Sequence, residues 1–333
     1  MGGEIKLECA KSSFDYKKLC SVAKGKLVES DFISISEPLS LTPCHNIILN
    51  GQRYTHYVIN CLSSRKKYFL KVSKGNDTSS HCNDYLKSFR NQHGEYIYPV
   101  IIVPEFKFND VNFFITNYIE GQSLDVISET LTSAEWIYIA KELLVRIDEL
   151  SSIHANYYSD QNVFTHRDCL AILMKKFPER LKHIVFNKYS RVDLKNAYHR
   201  CINILNNSFF TKPTLLHMDV KPANIIYNSQ TGFVTLIDFE FARFGDYDYG
   251  WTQILLSGIN AFNQEYKEYV VPYMTQNRIN LKEAINVPKF RCYLFYQTAC
   301  NLIYYHDHNT ECPHDMVQLF EKLLVELSKE QCL

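Results

Sequence analysis

Several common signatures are missing from this 333-residue chain. Charge of one sign is missing: 36 Lys plus Arg balance 36 Asp plus Glu, for a formal net charge of zero. Dedicated nucleic-acid binders usually carry a basic excess, so no nucleic-acid partner is expected. No apolar run approaches the ~18–20 residues of a membrane span, so no membrane partner is expected either. The start, Met1-Gly2-Gly3-Glu4, lacks the basic and apolar segments of a signal peptide. Lys6 stands where a myristoylation signal needs Ser or Thr. The 11 cysteines are odd in number and include no Cys-x-x-Cys pair. They read as free thiols in a reducing compartment, not as a disulfide framework or a zinc ribbon. The cytoplasm is the expected location. Internal repeats and low-complexity stretches are absent, and no obligate protein partner is evident.

What is present is an ordinary globular composition, 46% hydrophobic and 22% charged. The length suits one large or two medium domains. The first third reads as strands: 31–36, 57–62, 68–72, 100–108 and 111–118, with Asn109-Asp110 as a hairpin turn. A polar helix is expected over 80–92, ended by Gly94. After Glu120-Gly121-Gln122-Ser123 the periodicity changes. Ser133 is positioned to cap a helix whose Trp136, Ile137, Ala140, Leu143, Leu144, Ile147, Leu150 and Ile153 recur every three or four residues. Further helices fit 168–177, 193–206, 249–262, 290–305 and 313–327. One hairpin interrupts them, with strands at 224–227 and 233–237. The expected fold class is α+β, with a small β-rich lobe over 1–116, a hinge at 117–123 and a larger helical lobe over 124–333.

The most informative stretch is Leu215-Leu-His-Met-Asp-Val-Lys-Pro-Ala-Asn-Ile-Ile-Tyr227, followed by Leu236-Ile-Asp-Phe-Glu-Phe-Ala-Arg243. Asp219 and Asn224 share one short loop leading into a strand, and Asp238 ends its partner strand. The hairpin therefore brings one amide and two carboxylates to one edge. Hard oxygen ligands grouped this way suit Mg²⁺, which also takes phosphate oxygens. With a nucleotide present, Asn224 and Asp238 are the metal candidates, and Asp219 is the candidate acceptor of a proton from an attacking hydroxyl.

His217-x-Asp219-x-Lys221-x-x-Asn224 followed by Asp238-Phe239 resembles the catalytic and metal loops of the protein-kinase-like phosphotransferases. Within that superfamily it is most similar to the aminoglycoside phosphotransferase and choline/thiamine kinase group. Those enzymes often carry a Glu like Glu240 and an Asp at a helix start, here within Gly245-Asp-Tyr-Asp248-Tyr-Gly250. The resemblance implies a two-lobe kinase-like fold that uses ATP and Mg²⁺, with GTP not separated from ATP. It implies that Lys71, in Phe-Leu-Lys-Val, meets the α- and β-phosphates, and that adenine binds the linker backbone at Asn117, Tyr118 and Ile119. A helix carboxylate should pair with Lys71. Asp84 is the only acid in the predicted helix and takes that place, with Glu95 just past it. The phosphate-covering segment 39–54 departs from the pattern, since it has no Gly-x-Gly-x-x-Gly. A second triplet, Thr165-His-Arg-Asp168, is set aside because Leu173, not Asn, stands five residues after Asp168.

Only nine residues separate Asp238 from Asp248, too few for the segment on which protein kinases dock a peptide. The expectation is a kinase for a hydroxyl on a small, amine-bearing molecule: an aminoglycoside-like antibiotic, choline or ethanolamine, or thiamine. Lys221, typical of protein kinases at its position, is placed with Asp219 in catalysis because its charge can stabilise a transferring phosphoryl group. The alternatives are an atypical protein Ser/Thr kinase and a nucleotide-binding pseudoenzyme.

Overall fold

A computed structural model describes residues 15–49, 52–73, 79–155, 163–164, 191–208, 212–260, 264–278, 287–308 and 310–329. The chain divides into two units, Met1–Asn76 with Pro99–Tyr118, and Asp77–Tyr98 with Ile119–Leu333.

Among the described residues, the first unit is a five-stranded antiparallel sheet and one helix. Helix α1 (Tyr16–Glu29) is capped by the Asp15 carboxylate, which accepts from Lys18 N–H at 3.0 Å. Strands β1 (Leu39–Leu49), β2 (Gln52–Cys61), β3 (Lys67–Val72), β4 (Ile101–Phe108) and β5 (Val111–Asn117) take the order β1-β2-β3-β5-β4. Leu19, Ala23 and Leu27 recur every four residues along α1 and pack on Tyr57, Ile59, Leu70, Val72 and Ile115. Alternation along β3 sends Tyr68, Leu70 and Val72 into this core and Lys71 to the opposite face. Pro43 and Pro104 lie in the two edge strands, each beside a register shift, where a missing N–H costs no ladder bond. Asn109 and Asp110 both have positive φ, as a two-residue hairpin turn of the primed type requires. The expected strand at 31–36 is instead a series of turns, with Asp31 itself at φ 59°. The segment 39–54 forms most of the β1–β2 hairpin, and residues 50–51 lie outside the described residues.

The second unit begins with α2 (Ser79–Leu86), which is shorter than the helix expected over 80–92. Tyr98 ties this segment to the helix at Ser133–Ser152: its hydroxyl proton is shared between Glu149 Oε2 at 2.9 Å and the Arg146 carbonyl at 3.1 Å. Thr235 Oγ1 donates to the Ile97 carbonyl at 2.8 Å. Residues 77–98, expected in the first lobe, therefore group with the second. The unit continues through β6 (Gln122–Ser123), α3 (Leu124–Ile127), α4 (Ser133–Ser152), β7 (Val163–Phe164), α5 (Arg191–Asn207), β8 (Thr214–Leu216), β9 (Ile225–Asn228), β10 (Phe233–Leu236) and β11 (Arg243–Gly245). It ends with α6 (Tyr247–Asn260), a π-helical turn at Tyr266–Val270 leading into α7 (Val271–Arg278), α8 (Pro288–Asp307) and α9 (His314–Lys329). Helix α4 is capped by Thr132, one residue before the expected Ser133, in a capping box with Glu135. Its buried face contains Ile139, while Ile137 is exposed. Helices α5, α6, α8 and α9 share one apolar core. The expected helix at 168–177 and the triplet at 165–168 lie outside the described residues.

Gly121, at φ 136°, leads the chain into β6. A Cβ there would stand 2.7 Å from the Tyr227 carbonyl oxygen, so only glycine lets β6 lie along β9.

Candidate active site

Strand β8 leads straight into the loop that carries Asp219. His217, the residue after β8, is buried. Its Nδ1 accepts from Asp219 N–H at 3.3 Å, so Nε2 carries the proton and donates to the Ile237 carbonyl at 2.8 Å. Burial lowers the His217 pKa below the usual histidine value, against the opposing pull of Asp219 and the Ile237 carbonyl. The ring is therefore a neutral strut. It packs edge-on against Phe239 at 4.6 Å, and Tyr98 packs on the same Phe239 at 5.6 Å.

Asn224 closes the loop in a short 3-10 turn, Pro222–Asn224. Its Nδ2 donates to Asp219 Oδ2 at 2.8 Å and to the Asp219 carbonyl at 2.9 Å. The Asn224 carbonyl in turn accepts from Ile237 N–H at 2.9 Å. Both backbone groups of Ile237 are thus tied to the Asp219 loop, one through Asn224 and one through His217. The next residue is Asp238. Strand pairing alone would leave its position loose; these two bonds fix it beside the loop. Met218 and Asp238 both adopt left-handed backbone, at φ 66° and 64°. For the unbranched but bulky Met218 this conformation is strained, and it is held by the bonds on either side.

Lys221 Nζ lies 2.7 Å from Asp219 Oδ2. Asp219 Oδ2 thus takes both the lysine and the amide, and Asp219 Oδ1 has no donor among the described residues. That oxygen can accept a proton. The Asn224 amide, with both protons of its nitrogen directed at Asp219, turns its Oδ1 away from that carboxylate. Asn224 Oδ1 and the half-buried Asp238 carboxylate are hard oxygen donors and fit Mg²⁺. Among the described residues no cluster of three or more His, Cys, Asp or Glu forms an all-protein cage. Mg²⁺ needs none, since it binds through one or two protein oxygens, phosphate and water.

The other expected site residues lie apart from this hairpin in the chain. Lys71 Nζ lies 5.7 Å from the Phe114 ring centroid. Asn117 Oδ1 accepts from Val100 N–H at 2.6 Å, closing the start of β4 onto β5. The Tyr118 ring lies under Lys67 Nζ at 5.3 Å. Ile119 is the residue at which the chain re-enters the second unit. Asp84 is 90% exposed and accepts from Lys87 Nζ at 2.9 Å. Glu95 accepts from Asn91 Nδ2 at 2.9 Å. Residues the motif reading passed over are Ile237, tied through both of its backbone groups, and Asp246, whose signal was the Asp-x-Asp at a helix start.

The family model for APH, the phosphotransferase enzyme family, matches residues 68–269, more than half of the chain. The chain belongs to this family. Its function is therefore phosphoryl transfer, and the matched range takes in Lys71 and the whole Asp219–Asp238 hairpin. Among solved structures, a thermostable mutant of the aminoglycoside phosphotransferase APH(4)-Ia superposes with TM-score 0.62 at 14% identity, covering 87% of this chain and 97% of that one. Aminoglycoside 2'-phosphotransferase-IIIa, as its GDP complex, gives 0.51 at 16%, covering 92% and 98%. A Plasmodium vivax ethanolamine kinase gives 0.50 at 14%, covering 96% and 89%. These likenesses establish the kinase-like α+β fold. No curated protein matches the chain by sequence.

Proposed function

We propose that the protein transfers the γ-phosphoryl group of ATP or GTP, with Mg²⁺, to a hydroxyl of a small, amine-bearing molecule. The carrying observation is the division of the Asp219 carboxylate: Oδ2 is occupied by Asn224 and Lys221, and Oδ1 is left to act. In this reading Asp219 Oδ1 accepts the proton of the acceptor hydroxyl as that oxygen attacks phosphorus. Asn224 holds Asp219 in place through its nitrogen and offers its oxygen to the metal, and Asp238 offers the second ligand. Bound Mg²⁺ would neutralise phosphate charge. Lys221, half-exposed, is near enough to balance charge on the transferring group. Lys71 is taken as the phosphate-facing lysine, and the 117–119 backbone as the adenine contact, on the family resemblance. Asp84 keeps only its family-implied pairing with Lys71.

A small acceptor is favoured by the shortness of the chain after Asp238. Helix α6 begins at Tyr247, after one 3-10 turn and the three-residue β11, and no peptide-docking segment intervenes. Both nucleotides are carried forward because similar structures hold AMP-PNP in one case and GDP in another. The test is a coupled ADP/GDP-release screen over amino alcohols, thiamine and aminoglycosides, with product mass as confirmation. Acceptor-dependent turnover giving a phosphorylated small molecule supports the reading. Phosphate found on protein instead, or no turnover with any acceptor, would sink it.

A further inference from the structure

The first turn of α8 carries a lysine buried among acids. Lys289 Nζ lies 2.9 Å from Asp246 Oδ2, 3.3 Å from Asp246 Oδ1 and 2.8 Å from Asp248 Oδ2. Tyr293 O–H, one turn further along α8, donates to Asp246 Oδ2 at 3.2 Å. Asp246 is also the N-terminal cap of α6: its Oδ1 accepts from Asp248 N–H at 3.0 Å, and its carbonyl accepts from Tyr249 and Gly250 N–H. One ammonium and one phenol thus hold the residue at which α6 starts.

That residue is also a joint. Strand β11 ends at Gly245, immediately before it. β11 follows the 3-10 turn after Asp238, and it pairs antiparallel with β8, whose next residue is His217. Helix α6 then returns to the same place. A Cβ on Gly250 would stand 2.8 Å from Leu216 Cδ2, so the helix touches β8 with no room between. Tyr247, Gly250 and Trp251 line one cavity with His217 and Met218. Moving the start of α6 therefore moves the strand and loop that hold Asp219.

We propose that Lys289 is a positioning residue for phosphoryl transfer. Its ammonium clamps Asp246 and Asp248, and through α6 and β11 it fixes the Asp219 loop. This rests on the reading of Asp219 as the proton acceptor. A fixture that only stabilised the fold would alter melting and leave turnover of the folded enzyme alone. A positioning clamp alters kcat in folded enzyme, because small displacements of a base cost about 10- to 100-fold in rate.

The test uses Lys289→Ala with and without propylammonium chloride, against sodium chloride at equal ionic strength. The variant is expected to lose about 10- to 100-fold in acceptor-dependent kcat with little change in nucleotide KM. Propylammonium should restore kcat by occupying the vacated site between the two carboxylates. Should Lys289→Ala fail to fold, Asp246→Asn/Lys289→Met removes the buried charge together with its partner and keeps the same readout. Wild-type kcat in either folded variant overturns the proposal. So does propylammonium that restores the melting temperature and not kcat. Amide hydrogen exchange needs no acceptor and separates this proposal from the catalytic reading. Faster exchange over residues 214–221 in the variant supports the clamp, and a change confined to residues 287–293 overturns it. An inert wild type with faster exchange over 214–221 would fail the catalytic reading alone.

Discussion

Two lysine–aspartate pairs of nearly equal length, one in the Asp219 loop and one at the start of α6, sit in opposite surroundings. Lys221 lies 2.7 Å from Asp219, and Lys289 lies 2.9 Å from Asp246. Lys221 is 48% exposed and Asp219 17%, whereas Lys289 is 11% exposed and Asp246 2%. Water competes freely for the first pair and much less for the second. An exposed lysine can leave its carboxylate for a phosphoryl group at small cost, because such pairs are worth less than about 1 kcal/mol. A buried pair cannot part without stranding a charge. The two pairs differ in solvent access and hardly in distance.

The largest effect should come from the acid of the first pair. Asp219→Asn is expected to lower kcat by roughly 10²–10⁴, the scale for losing a positioned base, with nucleotide KM nearly unchanged. Steady-state kinetics with the best acceptor checks it, and a kcat close to wild type would remove Asp219 from the chemistry.

The comparison itself is broken or kept by stability. Lys289→Met should lose about 3–5 kcal/mol in urea unfolding, the cost of an unpaired buried charge. Lys221→Met should lose less than about 1 kcal/mol. Equal losses would mean that exposure does not divide the two pairs. Burial alone would lower the Lys289 pKa, but the hydrogen bond it donates to Asp248 and the charge of Asp246 outweigh burial and raise the pKa above the usual lysine value. A raised folded pKa contributes stability that is complete below the unfolded value of about 10.4 and is lost as pH rises through the folded value. The Lys289 contribution should therefore stay level between about pH 7 and 9.

Lys71→Ala is expected to raise the nucleotide KM or lower kcat by the equivalent of about 1.5–3 kcal/mol, the range for a charge-assisted contact, with the fold intact. Unchanged constants would take Lys71 out of the nucleotide site. Thr132→Ala sets the lower end of the scale. It removes an exposed helix cap for about 1 kcal/mol and should leave kcat alone, as unfolding and kinetics on one preparation would record.

The contact between Asp219 and Asn224 was legible because only five positions separate them, and so short a loop brings the two side chains together. Helix α4 was legible through its period, although the competing hydroxyls of Thr132 and Ser133 misled by one residue. The strand expected at 31–36 failed because its alternation of polar and apolar residues is shared by a run of turns. Helix α1 gave no clear signal, since only Leu19, Ala23 and Leu27 are buried between exposed or half-buried lysines. Asp84 was legible as the lone acid of its predicted helix; the neighbour that folding gives it is Lys87, one helical turn away. Lys289 had no motif at all. Its partners lie more than forty residues earlier, at Asp246 and Asp248, and only folding puts an ammonium between them.

The most direct test of the division of labour in the hairpin is a calorimetric titration of Mg-ATP into Asp219→Asn and Asp238→Asn. If Asp219 touches the acceptor oxygen and Asp238 the metal, Asp219→Asn should bind Mg-ATP with nearly wild-type affinity. Asp238→Asn should bind it weakly and respond little to added Mg²⁺. Loss of binding in Asp219→Asn with binding retained in Asp238→Asn would contradict the account.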